Sequence, residues 1–224
     1  MKTFRTILFV GFLIILLSDC SKSDEPLQKT LIANYPLTSD GNDVTGFNEA
    51  MQLYNAPFQN GGIFCNGVYS PGPVFPVDPT PGACTAISPD LRFFNFHSFS
   101  ISMDFFVTES LTQPVFVVGA GCRWLGFYLE EDGTVALLYN NSNYLASQNK
   151  YSLNEWHTAQ ITYDGITVKV FLDNAQACAM KFNEANSQLD YVGCFNATAI
   201  AVSNYSTGAT LKGYVKNLVV YSPQ

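Results

Sequence analysis

The sequence predicts an all-β fold in which two antiparallel sheets pack face to face. Three observations carry that expectation. First, Trp156 to Leu172 (WHTAQITYDGITVKVFL) alternates apolar and polar residues on both sides of an Asp164-Gly165 pair. An Asp-Gly pair between alternating runs is a strong hairpin signal, because both residues tolerate positive φ. Folding the chain there puts His157, Ala159, Ile161, Tyr163, Ile166, Val168, Val170 and Leu172 on one face. Thr158, Gln160, Thr162, Thr167 and Lys169 take the other, with Phe171 as the apolar exception. One dry face and one wet face describe the outer layer of a sandwich. Second, short alternating runs recur along the chain between turn residues, the pattern of a sandwich or barrel. Third, no long amphipathic helical pattern interrupts them.

Leu31 to Leu37 is the first strand, and Thr38 to Phe58 is polar and turn-rich. Ile63 to Tyr69 is the second strand, and Ser70 to Pro89 is a proline-rich loop. Phe99 to Val107 (FSISMDFFV) alternates clearly, with Phe99, Ile101, Met103, Phe105 and Val107 sharing a face. Val115 to Val118, Arg123 to Glu130 and Thr134 to Asn140 follow, the last two joined by a turn at Asp132-Gly133. Beyond the Trp156 hairpin come Tyr191 to Phe195, Ala199 to Ser203 and Lys212 to Tyr221. In that closing strand the apolar parity changes between Lys216 and Asn217, from Val215 to Leu218 and Val220. A one-residue bulge there returns both groups to the core.

These segments also resemble a known family. Trp156-His157, the alternating strand, Tyr163-Asp164-Gly165 and a second strand ending Leu172-Asp173-Asn174 are similar to the laminin-G-like, concanavalin A-like domain. Leu31 to Gly46 (LIANYPLTSDGNDVTG), Asn55 to Phe58 and Gly62 to Tyr69 (GIFCNGVY) resemble its opening, and Leu211 to Tyr221 (LKGYVKNLVVY) its closing strand. The resemblance covers Leu31 to Pro223 and implies a jelly-roll β-sandwich. It implies no single activity, because this architecture hosts lectins, glucanases, adhesion modules and spacers.

At the N-terminus, Lys2 and Arg5 precede the apolar run Ile7 to Leu17. That run is shorter than the roughly 20 residues a membrane span needs, so it reads as a secretory signal. Leu17-Ser18-Asp19-Cys20 is similar to a bacterial lipobox, with Asp19 in place of the usual small residue. The resemblance implies a lipid on Cys20, and the alternative is an ordinary signal peptide. Ser21 to Glu25 resembles the surface-export signal of Bacteroidetes lipoproteins, which implies an outer-membrane protein facing the exterior. The expected division is residues 1–19 as signal peptide, 20–30 as lipidated Cys and tether, and 31–224 as one domain. The only membrane partner expected is the bilayer holding that lipid.

The 205 residues left after cleavage suit one all-β domain. Cleavage removes two basic residues and one acidic residue, shifting the formal charge from −7 to −8. No Lys/Arg cluster exists to neutralise phosphates, so nucleic acid is not an expected partner. Five cysteines follow Cys20, an odd number. Cys65 and Cys84 bracket the loop with its five prolines, where a bridge contributes about 3 kcal/mol in the chain-entropy model. Cys178 and Cys194 flank the next long connection and form the second expected pair, leaving Cys122 over.

Glycoside hydrolysis needs two carboxylates facing one cleft. The Glu-x-Asp-x-Glu strand pattern of jelly-roll glucanases is absent, and the nearest acidic cluster, Glu130-Glu131-Asp132, reads as a turn. The superfamily resemblance implies a structural calcium at the opening turn, with Asp40 and Asp43 as ligands; the alternative is an Asx-type turn bonded to its own backbone. Sugar binding needs aromatic rings beside amide or carboxylate groups. On strand parity Trp124 and Tyr128 share a face, and pairing across Asp132-Gly133 adds Val135, Leu137, Tyr139 and Asn141, with Tyr144 in the next loop. The sequence therefore points to Trp124, Tyr128, Tyr139, Asn141 and Tyr144 as a glycan-binding face. The alternative is that a loop covers these aromatics and they enlarge the core. The function expected is a non-enzymatic surface lipoprotein that binds a polysaccharide or host glycan. The alternatives are an adhesion or structural module with a protein partner, and a diverged glycosidase.

Overall fold

A computed structural model describes residues 29–67, 84–89, 91, 98–120, 123–139, 143–181, 199–202 and 211–223 of the 224-residue chain. Among the described residues there are fifteen strands and no helix. They are β1 (Lys29–Tyr35), β2 (Gln52–Tyr54), β3 (Phe58–Gln59), β4 (Gly62–Asn66), β5 (Thr85–Ile87), β6 (Phe99–Val107), β7 (Gln113–Ala120) and β8 (Arg123–Leu129). Then come β9 (Thr134–Tyr139), β10 (Asn143–Lys150), β11 (Trp156–Tyr163), β12 (Thr167–Leu172), β13 (Ala175–Lys181), β14 (Ala199–Val202) and β15 (Lys212–Pro223).

The strands form two antiparallel sheets. One has eight strands in the order β13-β12-β11-β6-β15-β4-β3, with β1 also on β15. The other has seven, in the order β10-β9-β8-β7-β14-β5-β2. The molecule is a β-sandwich, as expected. Phe99, Ile101, Met103, Phe105 and Val107 of β6 are all buried and face Leu125, Phe127 and Leu129 of β8, with the Phe105 and Phe127 rings 6.2 Å apart. The Cys65–Cys84 disulfide joins β4 to the residue before β5, pinning one sheet to the other with a Cα separation of 5.1 Å. Cys178 instead carries a free thiol, 3.8 Å from the Leu145 carbonyl on the opposite sheet. The expected Cys178–Cys194 bridge is therefore not formed here; Cys194, Cys122, Cys20 and the expected strand Tyr191 to Phe195 lie outside the described residues. Burial pushes the Cys178 thiol up to about 11, which leaves little thiolate to attack an oxidant at neutral pH.

The bulge in β15 is present. Its pairing with β6 shifts between Lys216 and Val219, and Val215, Leu218 and Val220 all point into the core. Asn217 takes the extra position at φ 53°, where Asn is tolerated better than other side chains. Its N–H donates to Pro36 O at 2.9 Å and its Nδ2 to Asp104 Oδ2 at 2.6 Å.

Two hairpins differ from expectation by one residue. The β11–β12 turn is Gly165-Ile166, not Asp164-Gly165. Gly165 has φ 93°, Asp164 Oδ1 accepts the N–H groups of Ile166 and Thr167, and Ile166 is left 62% exposed at the tip. Gly at the first central position suits a type II′ turn, and Asp164 holds the turn through its side chain. The β8–β9 connection has three residues, Glu131, Asp132 and Gly133, flanked by a Glu130 N–H to Thr134 O bond of 2.9 Å. An odd loop reverses parity relative to a two-residue one. Leu125 thus pairs with Tyr139 and Phe127 with Leu137, while Tyr128 pairs with Ala136.

Asn217 should accept glycine with little change in melting temperature, whereas Asn217→Val should destabilise by about 2 kcal/mol in urea unfolding, through strain at positive φ. Equal stability of the two variants would show that the bulge does not need that conformation.

Candidate functional site

Tyr128 is only 1% exposed and packs with Val117, Ala136 and Leu138 in a small second cluster, on the face of its sheet away from the main core. A ring closed off in this way is not an open stacking platform. Tyr139 pairs with the core position Leu125 and so has the opposite parity to Tyr128. Tyr144 lies in β10, not in a loop, and pairs with Leu138. Asn141 and the side chains of Trp124, Tyr139 and Tyr144 lie outside what the structure describes. The register thus keeps Trp124, Tyr128 and Tyr144 at positions of one face and removes Tyr139 from it.

The carboxylates of the opening turn are bonded by the chain itself. Asp43 accepts the N–H groups of Asn34, Thr45 and Asn48, the Thr45 hydroxyl and Asn48 Nδ2, at 2.5 to 3.1 Å. Five donors around one carboxylate are the arrangement of an Asx-type turn bonded to its own backbone. Burial pushes the Asp43 carboxyl up, but the hydrogen bonds from Thr45, Asn34 and Asn48 together outweigh it and hold the group below its usual 3.8. Asp40 Oδ1 accepts the Asn42 N–H at 3.0 Å, an Asx turn. Asp132 is similar, accepting the N–H and hydroxyl of Thr134, and Glu130 bonds the Thr112 hydroxyl at 3.1 Å. These acids serve turns.

His157 lies at the centre of a more suggestive cluster. Its Nδ1 is 2.7 Å from Asp173 Oδ2 and its Nε2 is 3.1 Å from Ser152 Oγ. This is the order of groups in a nucleophilic triad. The surroundings argue for a clasp. The Ser152 N–H, which acyl-transfer chemistry would aim at an oxyanion, donates to Nε2 at 3.2 Å. The Ser152 hydroxyl lies 2.6 Å from Glu155 Oε2. Asp173 also holds the Thr158 N–H at 2.8 Å. Asp173 and Asn174 have φ 50° and 66°, the pattern of a type I′ turn between β12 and β13. The imidazole ties the start of β11 to that turn and to the Ser152 loop.

A different set of residues forms an open surface. On the solvent face of the eight-stranded sheet, Trp156 (β11) pairs with Phe106 (β6), Phe106 with Tyr214 (β15), and Tyr214 with Phe64 (β4). One row of aromatics therefore crosses four neighbouring strands in register. The ring centroids are 5.7, 5.8 and 5.2 Å apart in that order. Phe106, Tyr214 and Phe64 are half-buried, and Trp156 is 37% exposed. Asn60, at the tip of the β3–β4 hairpin, donates from Nδ2 to the Tyr214 hydroxyl at 2.8 Å. Lys216 Nζ sits 3.9 Å from the Trp156 ring centroid, a cation–π contact. A Cβ on Gly62 would come within 2.6 Å of Val215 O and 3.4 Å of the Trp156 ring, so glycine fits where the indole edge reaches β4. The next row holds Thr158, Asp104 and Lys216, with Asp104 bonded to the Thr158 hydroxyl and to Asn217. Rings beside a polar row are what a sugar's apolar face and hydroxyls require.

The sequence contained this row in two unread signals. Phe106, Tyr214, Phe64 and Trp156 are aromatics at positions that alternation assigns to solvent. Asn60-Gly61, both at positive φ, is the dipeptide of a type I′ hairpin, which places Asn60 beside Tyr214.

No protein-family model and no curated protein sequence matches the chain. Solved structures do resemble it. Domain 4 of AbnA, a GH43 extracellular arabinanase from Geobacillus stearothermophilus solved with arabinotriose, has a TM-score of 0.61 at 18% identity, over 88% of this chain and 94% of that one. Trypanosoma rangeli sialidase has a TM-score of 0.61 at 16% identity over 85% of this chain, which spans only 30% of the sialidase. The binding domain of botulinum neurotoxin serotype D has a TM-score of 0.53 at 14% identity, over 87% of this chain and 49% of that one. At these identities the likeness defines a common β-sandwich fold.

Asp43→Ala should cost about 3 kcal/mol by orphaning buried donors. Because the Asp43 pKa is depressed, its contribution is present above about pH 4 and lost as pH falls through a value below 3.8. Acid titration of Asp43→Asn should therefore show a shallower loss of stability than the parent, and identical slopes would contradict this. His157→Ala should lower the unfolding free energy measured in urea by about 2 kcal/mol; a neutral result would contradict a structural clasp.

Proposed function

We propose that this chain is a non-enzymatic, lipid-anchored surface protein that binds a glycan. The observation that carries the reading is the in-register row of Trp156, Phe106, Tyr214 and Phe64 on the solvent face of the eight-stranded sheet. Stacking of rings on sugars and hydrogen bonding from Asn60, Asp104 and Thr158 supply the two contacts a glycan needs. The likeness to an arabinanase domain solved with arabinotriose, and to a sialidase, supports a carbohydrate-related role. Cys20 holds the lipid that anchors the protein in the outer membrane, with the sandwich facing the exterior. A protein-binding adhesion module is the second reading, favoured by the exposed Val44 and Phe47 beside Asp43.

Full-length protein in detergent micelles should be retarded in affinity gels containing at least one polysaccharide. Trp156→Ala should weaken that binding about tenfold or more, as loss of an exposed aromatic anchor does, while Trp124→Ala should leave it unchanged. Loss in Trp124→Ala alone would return the site to the seven-stranded sheet. Absence of retardation in every gel, from folded protein, would favour a protein partner.

A further inference from the structure

We infer that Asn60 is a site of self-modification: in the folded protein the Gly61 nitrogen closes on the Asn60 side-chain amide and converts the residue to aspartate and isoaspartate, while Asn66 is spared. The site is independent of what the chain binds. Three observations carry it.

The first is chemical. The chain has two Asn-Gly pairs, Asn60-Gly61 and Asn66-Gly67. Glycine has no side chain to hinder the approach of its nitrogen to the preceding amide carbon, and its backbone reaches the conformations that closure needs. The Gly61 nitrogen bonds Asn60 Cγ and gives up its proton to solvent, and the Cγ–Nδ2 bond breaks as ammonia leaves. Water then adds to either carbonyl carbon of the five-membered succinimide. One opening gives aspartate and the other isoaspartate, with no change of oxidation state.

The second is the freedom of the first pair. Asn60 and Gly61 are both exposed, at φ 50° and 75°, at the tip of the β3–β4 hairpin closed by Gln59 and Gly62. A Cβ on Gly61 would meet nothing within 4 Å. Strand β3 has two residues and lies at the end of its sheet, so little holds the tip against local opening. An exposed bond of 2.8 Å from Nδ2 to the Tyr214 hydroxyl restrains the Asn60 side chain. It holds the nitrogen that leaves, not the carbon that is attacked.

The third is the restraint on the second pair. Asn66 is exposed as well, so exposure does not separate the two. The Gly67 N–H donates to the carbonyl of buried Leu211 at 3.0 Å. A Cβ on Gly67 would come within 2.9 Å of Lys212 Cβ, Asn66 pairs with Lys212 in the ladder, and the neighbouring Cys65 is bridged to Cys84. Closure there must first break the bond to Leu211 and lift Gly67 off Lys212.

Conversion changes the outer surface of the sheet. A carboxylate at position 60 cannot donate to the Tyr214 hydroxyl as the amide does. Isoaspartate also adds a methylene to the main chain between Gln59 and Gly62.

The test incubates full-length protein in detergent micelles, with the Cys65–Cys84 bridge intact, in mildly alkaline buffer at physiological temperature. Samples are digested in acid and mapped by mass spectrometry, and isoaspartate is measured with a protein isoaspartate methyltransferase. Asn60 should convert about tenfold or more faster than Asn66, because the second pair reacts only through local opening, and both acids should form. In urea with the bridge reduced, the two pairs should convert at rates within about twofold of each other, since the restraints on Asn66 are then gone. Conversion at Asn66 as fast as at Asn60 in the folded protein overturns the inference. So does an Asn60 that stays intact while the urea-unfolded chain converts. Aspartate formed without isoaspartate overturns it too, because that product comes from direct hydrolysis without the ring.

Discussion

The register of β15 is the constraint on which the rest of the molecule depends. This strand runs through the eight-stranded sheet with β6 on one side and β4 and β1 on the other. Before the bulge, Val215 faces inward and Tyr214 outward; after it, Leu218 and Val220 face inward. Without the extra residue at Asn217, one of these groups would turn to solvent, because a single-residue slip exchanges the two faces of a strand. The same register sets Tyr214 between Phe106 and Phe64, which completes the aromatic row. Core packing and the outer surface are therefore fixed by one local irregularity. Asn217 links them directly, since its side chain bonds Asp104 on that outer face.

Two clusters of polar residues fasten loops to the sheets. Asp43 gathers Asn34, Thr45 and Asn48 around one carboxylate and shapes the loop after β1. His157 does the same between the Ser152 loop and the β12–β13 turn, with Phe105 at 5.4 Å behind it in the core. Asp43 accepts three backbone N–H groups and His157 one, and a buried donor left unpaired is costly.

The fold was legible because alternation is a local property. Phe99 to Val107 has the bounds its pattern predicts, and the parity break at Lys216 located a real bulge. The Cys65–Cys84 bridge followed from its position at the base of a loop. Less visible were the short strands Gln52–Tyr54, Phe58–Gln59 and Thr85–Ile87, and the edge strands Asn143–Lys150 and Ala175–Lys181. Short strands carry too few residues to show a period, and an edge strand such as Ala175–Lys181 is partly exposed along most of its length. The expected ligand face was harder, because it depended on loop parity. A three-residue turn at Glu131-Asp132-Gly133 moved Tyr139 to the other side, and burial closed Tyr128. The aromatic row depends on register among four strands far apart in sequence: alternation marks each ring as solvent-facing but does not set the rings side by side.

A β-sandwich of this kind supports many functions, so the claim about this chain rests on a surface and not on the fold. The most direct test uses its two tryptophans separately. In Trp124→Phe, Trp156 becomes the sole indole, and acrylamide quenching of its fluorescence reports whether ligand covers it. Saturable protection of Trp156 on titration with a bound polysaccharide, and no protection of Trp124 in the reciprocal Trp156→Phe protein, is the result expected from a platform on the eight-stranded sheet. Protection of Trp124 with Trp156 still fully quenched would contradict it and place the ligand on the opposite sheet.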